Sequence, residues 1–253
     1  MPQFIAEFIG TMLLMLLGNG VVATVLLKKS KGENSGWIVI TLGWGMAVFV
    51  GVLVAGKTSG AHLNPAVSLG LAFAHRFAWK LVPMYITAQI LGAMTGQFLV
   101  YGMFYPHYKV TEDKRFRLLT FCTDPEIYCK WANFLSEVLG TFVLIFAVLM
   151  TQGVIMTEHF GKISTSFPID MGALGALPIS LVVVAIGLSL GATTGYAINP
   201  ARDFGPRLVH VFLSIKNGES SNWYYAWIPI AGPITGAFIA AMVFIVILAY
   251  GVI

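Results

Sequence analysis

Long apolar segments recur along the whole chain, separated by shorter polar ones. A bilayer core about 30 Å thick is crossed by a helix of about 20 residues. Six segments come close to that length: 4–27, 37–56, 81–105, 134–151, 171–193 and 224–250. Because a helix satisfies its own backbone hydrogen bonds in lipid, the pattern predicts an all-α membrane protein with six transmembrane helices.

Two further apolar segments, Pro65–Phe73 and 200–212, are too short to cross a membrane. At about 1.5 Å per residue they would reach roughly 13 and 19 Å, which together make about one membrane thickness. Each begins with Pro after Asn, and these residues are favoured at the first helical position and at the N-cap. We therefore expect two re-entrant half-helices that meet at the membrane midplane.

The residues around these half-helices repeat. Residues 58–70 and 193–205 are identical at six of thirteen positions. The identical pairs are Thr58/Thr193, Gly60/Gly195, Asn64/Asn199, Pro65/Pro200, Ala66/Ala201 and Gly70/Gly205. Because each half carries three spans, the second half enters the membrane from the opposite side. We expect one domain, 1–253, built from inverted repeats of about 1–105 and 130–253 joined by the loop 106–133.

The composition agrees with a membrane protein and argues against other classes. Hydrophobic residues make up 57% of the chain, charged residues 10%, and the mean hydropathy is +0.82. Such a composition lies outside the usual range of soluble domains. The net charge of +4 comes from 15 Lys and Arg scattered among loops, without a basic helix or stripe, so no nucleic-acid partner is expected.

No catalytic motif competes with this interpretation. The chain contains no CxxC, HExxH, P-loop or GxSxG pattern, so neither an enzyme nor a cofactor is expected. Cys122 and Cys129 lie in one polar loop. Two unpaired thiols are favoured. A disulfide is the alternative if that loop faces an oxidising space.

Two NPA boxes, Asn64-Pro65-Ala66 and Asn199-Pro200-Ala201, lie within SGAHLNPA and NPARDFGPR. These motifs resemble the major intrinsic protein family over nearly the whole chain. Within that family the chain is most similar to the aquaglyceroporins, and especially to bacterial glycerol facilitators. The residues that carry this second resemblance are Asp203, Arg207, Pro229 and Ile230.

The resemblance implies a passive channel for glycerol, water and other small uncharged solutes that excludes protons and ions. It also implies a homotetramer in the cell membrane, with one pore in each copy and both termini in the cytoplasm. The positive-inside rule predicts the opposite orientation, because the cytoplasmic loops would carry only Lys57, Arg76, Lys80 and Lys162.

By motif position, the resemblance assigns the selectivity filter to Trp44, Gly187, Tyr196 and Arg202. A His usually fills the position of Gly187 in water-selective relatives, so Gly there implies a wider and less polar ring. Tyr196 replaces the Phe common in bacterial glycerol facilitators, a change that bears on the size of solute admitted.

The half-helix junction has its own electrostatics. Each helix N-terminus carries roughly half a positive charge, so the junction at Asn64 and Asn199 should repel cations while the two amides donate to a hydroxyl or to water. The extended residues before each box should line a cavity with unpaired carbonyls. These carbonyls belong to Gly60, Ala61, His62, Leu63, Gly195, Ala197 and Ile198. Whether the His62 ring lines the pore or braces its segment stays open.

Three acidic residues are expected to support the site. Glu7 and Glu137 occupy matching positions in the two halves, which favours a bracing role for their carboxylates over a proton relay. Asp203 should pair with backbone or with Arg207, with a vestibule role as the alternative. Glycine pairs spaced by four residues, at 92/96 and 232/236, should allow close helix packing.

Three rival functions are also compatible with the sequence. A water-specific channel would not admit glycerol. A coupled transporter also uses inverted repeats with broken helices, and it would saturate and depend on an ion gradient. An ion channel would have to pass cations against two positive helix ends and Arg202.

Overall fold

The computed structural model describes residues 1–151, 155–160, 163–168, 172–214 and 219–251, and α-helices form most of this part. In chain order they are α1 (Pro2–Leu26), α2 (Trp37–Ser59), α3 (Pro65–Phe73), α4 (Val82–Val110), α5 (Lys114–Leu119), α6 (Lys130–Met150), α7 (Leu177–Ser189), α8 (Pro200–Ser214) and α9 (Ile228–Ala249).

Helices occupy all six predicted transmembrane segments. By length and composition, four of the described helices could cross a membrane: Pro2–Leu26, Trp37–Ser59, Lys130–Met150 and Trp223–Ala249. The remaining two are α4, a longer and more polar helix, and α7, a shorter one. A 3-10 segment, Gly172–Ala176, precedes α7, and together they reach about 30 Å. The predicted start at Met171, and Lys162 of the charge pattern, lie outside the described residues.

The two half-helices are confirmed as α3 and α8, and α8 continues two residues beyond the predicted end, to Ser214. The charged connection 106–133 is more helical than its composition suggests. Helix α4 runs on to Val110, and α5 starts where the Asp113 carboxylate accepts from the backbone N–H of Arg115 at 2.8 Å and of Phe116 at 3.2 Å. A side chain that caps the first turn stabilises even a short helix.

Two features lie outside the helical framework. The chain between α6 and α7 forms an antiparallel hairpin of β1 (Ile155–Phe160) and β2 (Ile163–Pro168), with Ile155 opposite Pro168. The apolar pattern does not predict these strands. The cysteines are both unpaired, as predicted, with Cys122 buried and Cys129 exposed.

Glycines let the helices pack backbone to backbone, as predicted. A Cβ at Gly92 would lie 2.4 Å from the carbonyl oxygen of Phe8, and one at Gly96 would lie 2.4 Å from that of Met12. The second half repeats the arrangement, because a Cβ at Gly236 would lie 2.3 Å from the Val138 carbonyl oxygen. These separations are too short for any side chain. Helix α4 therefore packs directly on α1, and α9 on α6.

Candidate functional site

The N-terminal ends of α3 and α8 meet inside the protein. Asn64 caps α3, since its Oδ1 accepts from the Ala66 backbone N–H at 2.8 Å. Asn199 does the same for α8, accepting from the N–H groups of Ala201 at 3.0 Å and Arg202 at 3.2 Å. Pro65 and Pro200, which lack the N–H that a first helical residue would leave unpaired, follow the caps.

The two caps are also tied to each other. Asn64 Nδ2 donates to the Ile198 carbonyl at 2.8 Å, and Asn199 Nδ2 donates to the Leu63 carbonyl at 2.9 Å. The bonds are reciprocal, each joining one box to the residue before the other box. Because an amide group has two N–H donors, one donor on each Asn remains for another partner.

The segments leading into both helices share a strained backbone. Positive φ angles occur at matching positions: Gly60 (82°), Ala61 (49°) and Leu63 (52°) in the first, and Gly195 (82°), Tyr196 (35°) and Ile198 (42°) in the second. A non-glycine residue in this region costs on the order of 1–3 kcal/mol. The surrounding structure must therefore hold both segments in place.

Two fully buried carboxylates, those of Glu7 and Glu137, hold these segments. The donors to Glu7 are the N–H groups of His62 (2.9 Å) and Leu63 (2.8 Å), the Ser59 hydroxyl (2.6 Å) and the Gln89 amide (2.8 Å). The donors to Glu137 are the N–H groups of Ala197 (3.0 Å) and Ile198 (2.8 Å) and the Thr194 hydroxyl (2.7 Å). Each carboxylate thus satisfies backbone donors that have no helical partner.

Most carbonyls of these segments stay unpaired. Leu63 and Ile198 accept from the opposite Asn, as described above. Among the described residues, no group donates a hydrogen bond to the carbonyls of Gly60, Ala61, His62, Gly195 or Ala197. Five of the seven carbonyls predicted to line a cavity therefore have their full acceptor capacity.

Two cavities lie on either side of one ring of side chains. The first, the vestibule, has a volume of about 220 Å³ and is lined in part by Phe116 and Leu119 of α5. The second, the inner cavity, has a volume of about 50 Å³ and reaches Asn199. Three residues line both: Trp44, Tyr196 and Arg202. The three side chains therefore separate the vestibule from the inner cavity.

Arg202 is held in this ring mainly by an aromatic face. Its Cζ lies 4.4 Å from the centroid of the Trp44 ring, within the distance of a cation–π contact. The side chain is buried, its Nη1 has no partner, and no described residue accepts a hydrogen bond from the guanidinium. An Arg buried without an acceptor is costly, and its unpaired donors can bind a small molecule that enters the ring.

Tyr196 occupies the room beside Gly187. The family resemblance implies a wider ring at Gly187. A Cβ at that position would lie 2.8 Å from Tyr196 Cζ and 2.9 Å from its hydroxyl oxygen. The phenol is further confined by Gly191, whose Cβ would lie 2.5 Å from Tyr196 Cδ1. The buried hydroxyl has no partner among the described residues. The Tyr196 phenol thus fills the space that a side chain at position 187 would occupy. Its hydroxyl still has its full hydrogen-bonding capacity.

The comparisons with known proteins decide the family. The family model described as "Major intrinsic protein" matches residues 1–244. This chain belongs to the major intrinsic protein family.

Relatives of this major intrinsic protein match almost end to end. A protein named "Probable glycerol uptake facilitator protein" from Thermotoga maritima is 50% identical over 244 residues, covering 96% of this chain and 98% of the relative. The "Glycerol uptake facilitator protein" of Bacillus subtilis is 49% identical over 236 residues, covering 93% and 81%. The X-ray structure of the aquaglyceroporin from Plasmodium falciparum is 31% identical, with a TM-score of 0.78 and coverage of 95% and 93%.

Asp203 and Arg207 form a buried ion pair on α8 of this major intrinsic protein. The Asp203 carboxylate accepts from Arg207 Nε at 2.8 Å and from the Thr123 N–H and hydroxyl at 2.8 and 2.7 Å. Arg207 in turn donates to the carbonyls of Thr123 at 2.8 Å and Ser221 at 2.6 Å. Asp203 thus contacts both backbone and Arg207, and it lines neither the vestibule nor the inner cavity.

His62 makes the contacts of a bracing residue. Its Nδ1 lies 3.0 Å from the Ser68 hydroxyl, and its ring packs 4.5 Å from Phe77 and 4.7 Å from Tyr85, measured between centroids. Of the two roles left open by the sequence, these contacts favour bracing for the side chain, while the carbonyl of His62 stays unpaired.

Two residues without a signature motif, Trp37 and Gly18, position the ring. Trp37 Nε1 donates to the Gly187 carbonyl at 3.0 Å, and its ring packs edge-on against Tyr196 at 5.7 Å. Gly18 of α1 makes room for Trp44, since a Cβ there would lie 2.3 Å from the indole ring. The spacing of seven residues between Trp37 and Trp44, which places both on one face of α2, was a usable signal.

Proposed function

We propose that this major intrinsic protein is a passive channel through which glycerol, water and other small uncharged solutes cross a membrane, while protons and ions are excluded. The observation that carries the proposal is the ring in which Arg202 and Tyr196 present unpaired polar groups beside the apolar face of Trp44. The names of the relatives, glycerol uptake facilitators and an aquaglyceroporin, support glycerol as the main solute.

The chemistry of the ring suits a molecule with hydroxyls on one edge and carbons on the other. Arg202 supplies several N–H donors in a fixed plane, and the Tyr196 hydroxyl can donate or accept. Beyond the ring, apolar side chains of Leu14, Val48 and Val183 face the inner cavity, and the unpaired carbonyls of the extended segments are the proposed acceptors. A polyol can therefore exchange its hydration for protein partners on one side and apolar contact on the other.

Ions and protons meet two barriers. The N-terminal ends of α3 and α8 bring partial positive charge to one point, and Arg202 adds a full charge within the ring, so cations are repelled. At the junction, the free N–H donors of Asn64 and Asn199 orient a water molecule by its oxygen, which interrupts the chain of donors that proton transfer needs. Glu7 and Glu137 take no part, because their oxygens accept bonds from the backbone.

We also propose that the protein lies in the cell membrane as a homotetramer of inverted repeats, with both termini in the cytoplasm and no cofactor. The support for assembly is a pair of adjacent helices, α2 and α7, that expose large apolar side chains such as Leu42, Met46 and Leu181. Native mass spectrometry of the detergent-solubilised protein tests the oligomer. Protease cleavage within 106–133 only from inside the cell would overturn the orientation.

Stopped-flow light scattering of proteoliposomes tests the proposed activity. Glycerol should enter faster than in protein-free liposomes, without saturation, without counterflow, and independently of proton or sodium gradients. Saturation together with gradient dependence would indicate a coupled transporter, and cation conductance in planar bilayers would indicate an ion channel. Water permeability without glycerol permeability would indicate a water-specific channel.

Gly187→His tests the filter assignment in the same assay. The imidazole would project toward the Tyr196 phenol in an already filled space, so glycerol permeability should fall at least about tenfold. Gly102→Ala is the matched control, because a Cβ there meets no atom within 4 Å. An unchanged glycerol rate in Gly187→His would contradict the assignment of the ring.

A further inference from the structure

A third cavity, of about 280 Å³, lies at the vestibule end of the molecule but outside the pore. Helix α5 separates it from the vestibule: Phe116 and Leu119 line the vestibule, whereas Arg117 lines the third cavity. The third cavity and the vestibule share no lining residue among those described. Nothing in the proposed channel mechanism uses this third cavity.

One wall of the cavity is aromatic. Tyr101, Tyr105 and Tyr108 follow one another along one face of the last turns of α4, and Phe121 faces them. The ring centroids lie 5.8 Å apart for Tyr101 and Tyr105, 5.0 Å for Tyr101 and Tyr108, and 5.7 Å for Tyr108 and Phe121. The rings therefore form a continuous aromatic surface.

The described residues that line the cavity carry more positive than negative charge, with Lys109 and Arg117 against Glu219. Arg117 is paired with Glu219, and the other Glu219 oxygen lies 3.9 Å from His210 Nε2. Arg117 still has its Nε buried without a partner. Lys109 lies 4.4 Å above the Tyr105 ring and forms no ion pair within the described part of the chain. Since the Glu219 carboxylate is already paired with Arg117, the Lys109 amine and the Arg117 Nε remain as donors for an anion.

The cavity lies at the depth of lipid headgroups. The apolar segment of α4 ends at residue 105, so Tyr101 and Tyr105 occupy its last turns and Lys109 comes one turn later. Tyrosines are enriched at the membrane–water interface, and a cationic side chain at that depth attracts an anionic headgroup. Tyr105 and Lys109 are both exposed at the protein surface.

We propose that this cavity binds the phosphate group of an anionic phospholipid, with Lys109 and Arg117 as its donors and the tyrosine wall against the glycerol backbone and first acyl carbons. A free phosphate ion shares the same charge chemistry, but it would leave the aromatic wall uncovered. The wall and its interfacial position favour the lipid.

Native mass spectrometry of the solubilised protein with dioctanoyl phosphatidylglycerol tests this site. Lys109→Gln should raise the dissociation constant of one bound lipid about tenfold, which corresponds to the loss of one charge-assisted hydrogen bond. The matched control is Lys114→Gln, an exposed lysine on α5 that does not line the cavity. It removes the same charge nearby and should change the constant less than about twofold. Tyr101→Phe and Tyr105→Phe, which keep the aromatic wall, should weaken binding less than Lys109→Gln.

Two further arms identify the source of the phosphate. Dioctanoyl phosphatidylcholine should bind more weakly than phosphatidylglycerol, because its quaternary ammonium would add positive charge beside Lys109. Inorganic phosphate at millimolar concentration should not displace the lipid. Displacement by inorganic phosphate would overturn the lipid assignment, and equal effects of Lys109→Gln and Lys114→Gln would overturn the site itself. Glycerol permeability should be unchanged in Lys109→Gln, so this test is independent of the proposed channel activity.

Discussion

Removing the Tyr196 hydroxyl tests whether the ring contributes a hydrogen bond to a passing solute. Tyr196→Phe deletes one oxygen atom and keeps the aromatic ring. The contacts that hold that ring, against Gly191 and edge-on to Trp37, do not involve the hydroxyl. Because the oxygen is buried without a protein partner, the substitution breaks no bond of the fold, and thermal stability should be unchanged.

The size of the effect follows from the bond that the solute loses. A neutral hydrogen bond contributes about 1 kcal/mol net, and 1.36 kcal/mol in a barrier is a factor of ten in rate. Glycerol permeability should therefore fall about fivefold. The missing oxygen also leaves space beside Gly187, so the permeability to a four-carbon polyol such as erythritol should rise. The ratio of glycerol to erythritol permeability should fall by more than the glycerol rate alone.

Stopped-flow light scattering of proteoliposomes at matched protein density measures both rates. Tyr225→Phe is the control, because Tyr225 is also fully buried with an unpartnered hydroxyl and lines neither the vestibule nor the inner cavity. Its variant should transport like the native protein. If Tyr196→Phe leaves both the glycerol rate and the ratio unchanged, the hydroxyl does not meet the solute and the proposed role is refuted.

Three further substitutions probe the supports of the site. Glu137→Ala would leave the backbone donors of the second extended segment buried and unpaired, so the free energy of unfolding should drop by about 3 kcal/mol; a midpoint of thermal unfolding within about 1 °C of native would contradict this role. Gly96→Ala should lower the same midpoint, with a cost of about 1–3 kcal/mol, because its Cβ would meet the α1 backbone, whereas Gly102→Ala on the same helix should be neutral or stabilising. Gly18→Ala should push the Trp44 ring toward Arg202 and reduce glycerol permeability; an unaltered rate would show that Trp44 is free to move elsewhere.

Features that depend on neighbouring residues could be predicted from the sequence. The length of an apolar segment decides whether it crosses a membrane, and Asn-Pro at a segment start predicts a capped helix. These local rules located all six spans and both half-helices. The charge of the connection 106–133 predicts a loop, but Asp113 caps a short helix within it. This cap is also a local signal.

Motif position could also nominate the filter, but it could not say how its members fit together. That Tyr196 fills the room beside Gly187 depends on the approach of a bent segment to α7. The cross-links from Asn64 to Ile198 and from Asn199 to Leu63 join residues more than 130 positions apart, so no local pattern encodes them.

By itself, the sequence determined which segments enter the membrane and which residues begin the half-helices, because apolar length and capping are properties of adjacent residues. Only the tertiary structure decided which polar groups remain unpaired, among them Arg202 Nη1 and the Tyr196 hydroxyl in the ring. The physical reason is that a donor or acceptor is free only after every distant partner has been placed, and helix packing sets those distances.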